Sequence, residues 1–460
     1  MPCCFGCLRS TQRRYPAREY LVTSDPLNHT ETIPPAPHGA TSGAETRKLP
    51  FVEPCPMPVI EASSGVRFDF NQGARVSLPT RSSGKWRIRL RDLDTGNIVF
   101  ASENAGAFVM SSKRYYVRFL IEVSEIGSDG EEHSLVSHAY DARDQLVLIQ
   151  FPVGTLGDTL AWFPYAARFA QRHGARVTCV LSGLIIPLLR DAYPQLTLVT
   201  KEEAEEQKLV EKAYATYCLG LFFEDTENNQ QPTDFRFVGL HRTAGYILGV
   251  DPAEEPVQLD LPDSTRPISE PYVCIAVQSS TQCKYWNNPD GWRDLIRFLK
   301  EAGYRVICID QKPTHGSGIV WNHIPHGAED ETGDRPLSER ARWLRHSEFF
   351  IGLSSGLSWL AWASGTPVVL ISGFTHPTNE FHTPFRIVNW HTCNSCWNDP
   401  SLRFDHHDFL QCPRHAGTAR QFECTRLITA EQVINAIKTI PAYAAITASA
   451  SHHIPGNPTS

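Results

Sequence analysis

The sequence predicts an α/β protein with two Rossmann-like halves, a small β domain ahead of them and a four-cysteine finger behind. Three observations carry that expectation. A buried strand, a glycine turn, a helix and a second buried strand follow one another in QLVLIQFPVGTLGDTLAWFPYAARFAQRHGARVTCVL, from about residue 145. The same order returns in YVCIAVQSST, DGWRDLIRFLKEAG and YRVICID, and FFIGLSSGLSWLAWASGTPVVLISG continues the series. Four cysteines then crowd into the stretch between 393 and 424.

At 460 residues the chain exceeds one ordinary core, since domains run to roughly 100 to 200 residues. Hydrophobic residues at 41% and charged residues at 20% describe a globular protein, and a formal charge of -7 argues against nucleic acid as a partner. No run approaches the ~20 consecutive apolar residues of a membrane span, and the start MPCCFGCLRSTQRR lacks the hydrophobic segment of a secretory signal. The expectation is a cytoplasmic chain. Its thirteen cysteines, an odd number, then suit metal better than disulfides where they are closely spaced.

Residues 1–60 are rich in Pro, Ser and Thr without a sustained period and read as a disordered tail, in which Cys3, Cys4 and Cys7 are surface thiols or incidental. From 61 to 143 short alternating runs, VRFDF, KWRIRLRDL, NIVFASE and YYVRFLIEV, are separated by turn residues. That pattern suits a small antiparallel β domain for binding or assembly. The first Rossmann-like half spans 144–265, the regular part of its helix beginning near Trp162 with Pro164 in the first turn, where a missing N–H is tolerated. The second spans 266–390, after a hinge at DLPDSTRPISEP. The finger occupies 391–425, a helix 426–442 and a second tail 443–460.

Two such halves imply a cleft at the carboxyl ends of their strands. In GTLGD, Gly154, Thr155, Leu156 and Gly157 form a turn through which the backbone can approach a ligand, and Asp158 stands at the mouth of the first strand. Asp158 is either a general base for a hydroxyl or a helix cap. In QSSTQCKYWNNPDGW, Lys284 and Trp286 offer a mobile charge and an aromatic face for a nucleotide diphosphate, against a plain loop lysine. The backbone around Ser354, Ser355, Gly356 and Leu357, leading into a helix, could cradle a phosphate or simply turn. Asp310, ending YRVICID, suits a ribose hydroxyl or a turn.

Cys393-x2-Cys396-x15-Cys412-x11-Cys424 has the spacing of a closed tetrahedral thiolate site, structural rather than catalytic. Thiolates admit iron or zinc, and spacing does not choose between them. His391, His406, His407 and His415 could substitute as ligands, but four cysteines already complete the shell.

From Gly154 to the end of the finger the chain resembles the bacterial autotransporter heptosyltransferases, relatives of the lipopolysaccharide heptosyltransferases; residues 61–143 also resemble that family's amino-terminal domain. The resemblance implies a GT-B fold, ADP-heptose as donor, inversion at the anomeric carbon, and Ser/Thr hydroxyls of an autotransporter adhesin passenger as acceptors. It implies ferric iron in the finger, one per subunit, and a ring of twelve subunits. By motif, Asp158 matches the family's catalytic base, Lys284 its phosphate-binding lysine, SSGLSWL its donor loop, and the four cysteines its iron finger. One departure is Ser354, where the lipopolysaccharide enzymes carry aspartate. Two alternatives stand beside this reading: a heptosyltransferase of the lipopolysaccharide core, and a non-catalytic oligomeric or lectin-like scaffold.

Overall fold

The computed structural model describes residues 51–445 apart from 105, 107, 153–155 and 406. Both predicted tails for the most part, Cys3, Cys4, Cys7, Gly154, Thr155 and His406 therefore lie outside the described residues. The chain passes through β1 (Ile60–Glu61), β2 (Arg67–Asn71), β3 (Arg75–Ser77), β4 (Lys85–Asp92), β5 (Ile98–Asn104), β6 (Phe108–Met110), β7 (Phe119–Ile126) and β8 (Glu132–Ala139). It enters the first α/β region at β9 (Leu146–Gln150) and α1 (Leu156–His173), followed by β10 (Arg176–Val180), α2 (Ile186–Leu189), β11 (Thr197–Val199) and α3 (Lys201–Glu206). β12 (Ala215–Cys218), α4 (Phe235–Val238) and α5 (Arg242–Leu248) complete it.

The second α/β region holds β13 (Tyr272–Ile275), α6 (Gly291–Glu301), β14 (Arg305–Cys308), the hairpin β15 (Thr314–Ser317) and β16 (Val320–His323), and β17 (Glu329–Asp330). α7 (Leu337–His346), β18 (Phe350–Leu353), α8 (Gly356–Ala363), β19 (Val368–Ile371) and β20 (Arg386–Ile387) follow. The cysteine segment ends in α9 (Glu423–Arg426), which carries Cys424, and α10 (Ala430–Ile437) follows.

The upstream β segment divides between two sheets. β4, β5, β7 and β8 form an antiparallel sheet in the order β5-β4-β7-β8. In KWRIRLRD every second residue turns inward, so Trp86, Ile88 and Leu90 are buried while Arg87 and Arg91 meet Glu103, Glu132 and Glu122 on the other face. β2, β3 and β6 instead continue the first Rossmann sheet, whose order is β11-β10-β9-β12-β2-β3-β6, with β1 paired to β2. The join is a parallel pairing of β12 with β2, Ala215 opposite Phe70. The second sheet, β17-β14-β13-β18-β19-β20, is parallel throughout.

α1 begins at Leu156, not near Trp162, and Pro164 lies inside it rather than in its first turn. An internal proline costs about 3 kcal/mol. Trp162, Phe163, Tyr165 and Phe169, all fully buried on that helix, each recover roughly 1.5–3 kcal/mol, which outweighs the lost bond. α6 follows its expected periodicity, with Trp292, Leu295, Ile296 and Leu299 buried and Arg293 and Arg297 outside.

A buried ion pair anchors the added strands. Arg75 Nε donates to Asp69 Oδ1 at 2.7 Å and Nη2 to Oδ2 at 2.6 Å, and Asp69 also accepts from the Asn71 side chain, which reaches Ala213 O and Thr216. Removing one partner of such a pair leaves an uncompensated charge. Asp69→Ala is therefore expected to cost about 3–5 kcal/mol, read as a large fall in melting temperature, whereas Glu103→Ala on the exposed face should cost under about 1 kcal/mol.

Candidate functional site

Three of the sequence motifs meet at the carboxyl ends of β9, β13 and β18. α1 follows β9 and carries Asp158, half-buried, as the third residue of the helix. α8 follows β18 and begins at Gly356, with Ser355 extended at its N-cap (φ -149°, ψ 167°). The two helix starts touch. A Cβ added to Gly157 would lie 3.0 Å from Trp359 Cδ1 and 3.3 Å from Gly356 Cα, and one on Gly356 would lie 3.0 Å from Leu156 Cβ and 3.1 Å from Gly157 N. Gly157 is therefore a helical residue whose missing side chain permits interhelical contact, not the tight-turn glycine expected.

The loop after β13 joins them, since Ser279 Oγ donates to Ser354 O at 3.4 Å. Lys284 ends a single 3-10 turn, Gln282–Lys284, and is half-buried. Its ammonium lies 5.5 Å from the centroid of the Trp397 ring, in the finger, and among the described residues it forms no ion pair. Among the described residues the Ser355 hydroxyl, at the N-cap of α8, is buried without a hydrogen-bond partner. First-turn N–H groups, an unsatisfied hydroxyl and an unneutralised lysine are groups that receive an anion.

Other expected contacts are spent elsewhere. Trp286 is 4% exposed, its Nε1 donates to Ile428 O at 2.9 Å and its ring packs edge-on to Trp292, so it belongs to the core and not to a ligand face. Asp310 is 2% exposed and accepts from Val277 N at 2.7 Å and Gln278 N at 3.3 Å; it ties β14 to the end of β13 and is not available to a ribose. Burial, only partly offset by those amides, pushes the Asp310 carboxyl up to about 6. Ser354 Oγ donates to Glu380 Oε1 at 2.6 Å, so its hydroxyl faces the interior.

Glu380 escaped the sequence reading because NEFHTPF has no motif. It is 2% exposed and accepts from Asn379 Nδ2, Thr375 Oγ1 and Arg386 Nη1 as well as Ser354. Burial opposes its ionisation, but Arg386 and these donors prevail and hold the carboxyl below its usual range. His241, stacked obliquely on Trp359 at 5.8 Å and 3.3 Å from Glu254, was missed likewise. Two cavities lie away from these motifs: one of about 610 Å³ along α1 near Pro164, Arg168 and Tyr193, the other of about 260 Å³ near Tyr116, Arg118 and His173.

The four finger cysteines are close enough to govern one another electrostatically. A hydrogen bond from Cys424 holds the Cys393 thiol below its usual value and pushes Cys424 up, while burial pushes Cys396 up to about 12. Cys412 acts on both Cys396 and Cys424. Cys393 Sγ, a His415 ring nitrogen and a Glu423 carboxylate oxygen also lie within 4.8 Å of one another, a candidate metal site. Glu423 is already committed, accepting from Cys393 N at 3.0 Å and from Arg420 Nη2 at 2.6 Å. Soft thiols are the better donors for iron or zinc.

The profile of the TibC glycosyltransferase N-terminal domain matches residues 62–127, and that of glycosyltransferase family 9 (heptosyltransferase) matches residues 244–403. The chain is 54% identical to the autotransporter heptosyltransferase BAHTCr of Citrobacter rodentium over 85% of this chain and 93% of that protein. It belongs to the autotransporter heptosyltransferase family. The crystal structure of the dodecameric iron-containing heptosyltransferase TibC with ADP-D-β-D-heptose, an enzyme of enterotoxigenic Escherichia coli, superposes with a TM-score of 0.80 at 52% identity. That alignment covers 86% of this chain and all of TibC. The family also contains BimC of Burkholderia thailandensis, an inactive autotransporter heptosyltransferase, 46% identical over 89% of this chain and 93% of BimC. The fold of this heptosyltransferase chain is GT-B, and among its described residues no helix is long and apolar enough to cross a membrane.

Asp310 gives the family member a pH signature. Its folded pKa near 6 exceeds the unfolded value of about 3.9, so its contribution to stability is present below pH 4 and is lost as the pH rises through 6. Melting temperatures of wild type and Asp310→Asn, followed from pH 4 to 7, should show the wild type losing ground against the variant across that window.

Proposed function

We propose that this chain transfers heptose from ADP-heptose, with inversion, to serine or threonine hydroxyls of an autotransporter adhesin passenger. One observation carries the reading. The start of α1, which carries the half-buried Asp158, meets the start of α8, and the loop that carries Lys284 bonds to Ser354 ahead of α8. In the reaction the acceptor oxygen attacks the anomeric carbon from the face opposite the diphosphate. Asp158 takes the hydroxyl proton, the new C–O bond forms as the bond to the diphosphate oxygen breaks, and the electron pair leaves with ADP. Lys284 and the N–H groups around Ser355, Gly356 and Leu357 receive the charge that develops there.

We assign one ferric iron, with zinc as the alternative, to Cys393, Cys396, Cys412 and Cys424, in a structural role without an open coordination position. The ion would cross-link the segment and supply no chemistry at the cleft. Assembly into a ring, twelve subunits on the pattern of TibC, is in keeping with apolar side chains left outside: Ile319 and Trp321 on the β15–β16 hairpin and Trp390 beside the finger. A cytoplasmic location fits ten free cysteines among the described residues.

The inactive relative BimC favours a second reading, a scaffold that has kept the fold and lost turnover. One experiment separates them. Purified protein is incubated with ADP-heptose and an autotransporter passenger fragment, and the passenger is weighed intact. Heptose-sized increments are expected with wild type and a loss of at least about a hundred-fold in rate with Asp158→Asn, in line with removal of a general base. Retained ADP binding with no increment from wild type would leave the scaffold reading standing.

For the finger, Cys412→Ser is expected to lower the metal content of purified protein, measured by inductively coupled plasma mass spectrometry, and to reduce its melting temperature. Full metal occupancy in that variant would remove Cys412 from the ligand set.

A further inference from the structure

We propose that Trp397 is a positioning residue for Lys284: the indole face of the finger holds the lysine ammonium where a nucleotide diphosphate would meet it. The inference rests on the reading of Lys284 as a diphosphate-binding residue and adds the means by which its charge is aimed.

The Lys284 loop is bolted to the finger and the segment after it by one backbone amide and two side-chain amides. Gln282 N donates to Phe409 O at 3.0 Å, Asn287 Nδ2 to Thr425 Oγ1 at 2.9 Å, and Asn288 Nδ2 to Ile428 O at 3.0 Å. Cys283, 1% exposed, packs in one apolar cluster with Cys396, Trp397 and Cys412. These contacts fix where the side chain of Lys284 starts.

Trp397 fixes where it ends. Its ring is wedged edge-on against Phe223 at 5.4 Å and obliquely against Phe374 at 5.8 Å, and its backbone N donates to Phe374 O at 3.0 Å. A ring held this way cannot follow the lysine. The ammonium, 5.5 Å from the centroid, lies within the roughly 6 Å over which a cation is attracted to an aromatic face. A carboxylate could localise the ammonium too, but would neutralise it. A ring face orients the charge and leaves its N–H donors for an incoming anion.

The test is calorimetric titration of ADP and of adenosine, which lacks the diphosphate, into the full chain as wild type, Lys284→Ala, Trp397→Leu, Trp397→Phe and Lys284→Ala/Trp397→Leu, with metal content measured on each. Trp397→Leu should weaken ADP binding about five-fold, equivalent to about 1 kcal/mol, and leave adenosine binding unchanged. In the Lys284→Ala background the same substitution should cost nothing more. Trp397→Phe, with its weaker ring, should lose about two-fold on ADP alone, and it decides the matter if Trp397→Leu proves to lose its metal. Wild-type ADP affinity in both Trp397 variants, equal losses for ADP and adenosine, or an undiminished loss without Lys284 would each overturn the proposal. Wild-type ADP affinity in Lys284→Ala would instead remove the reading of Lys284 on which it rests.

Discussion

The cleft depends on two helices meeting at their N-termini with nothing but glycine between them. Gly157 of α1 and Gly356 of α8 stand close enough that either Cβ would press on the other's backbone or on Leu156 and Trp359. Each helix start carries roughly half a positive charge on its unpaired N–H groups, so two side by side repel unless negative charge sits near. Asp158, in the first turn of α1, supplies part of that charge. A bound anion would supply the rest.

The segment between Ser372 and His382 holds the two halves at that distance. On one side it grips the finger: Ser395 N donates to Gly373 O at 2.8 Å, and Gly373 itself lies so near Cys424 that a Cβ would fall 2.4 Å from the Cys424 carbonyl. On the other it reaches the first half, where Leu240 N donates to Asn379 O at 3.0 Å and Gly239, at φ +94°, packs its bare Cα under Thr378 O. Asn398 closes the triangle, receiving His376 N and donating to Arg236 O. The finger segment thus braces a contact between the two α/β regions.

Much of this was legible in the sequence because local pattern encodes it. The period of α6, the two β-α-β runs and the glycine-bounded motifs each sit within a few residues. The pairing of β12 with β2 was not, since parallel partners nearly 150 residues apart leave no local mark on either strand. Pro164 misled for a related reason: propensity alone ends a helix there, and only the buried aromatic face of α1 overrides it. Trp286 and Asp310 looked like ligand contacts because a motif shows residue type and not direction. Ile428 claims the indole and the amides of Val277 and Gln278 claim the carboxylate, partners that are set by tertiary packing.

Glu380 shows how the fold keeps negative charge near the anion-receptive turn without opposing an anion. Its carboxylate is ionised although buried, because Arg386 lies 2.8 Å away and each oxygen is filled by donors, Ser354 and Asn379 on Oε1, Thr375 and Arg386 on Oε2. Such a pair adds little net stability, since desolvation offsets much of the attraction, but it is costly to distort. Ser354 is therefore held by its hydroxyl, and through its carbonyl it holds Ser279 of the neighbouring loop. The charge is consumed within the network. What remains at the start of α8 is the buried Ser355 hydroxyl, which has no hydrogen-bond partner among the described residues, and the first-turn N–H groups after it.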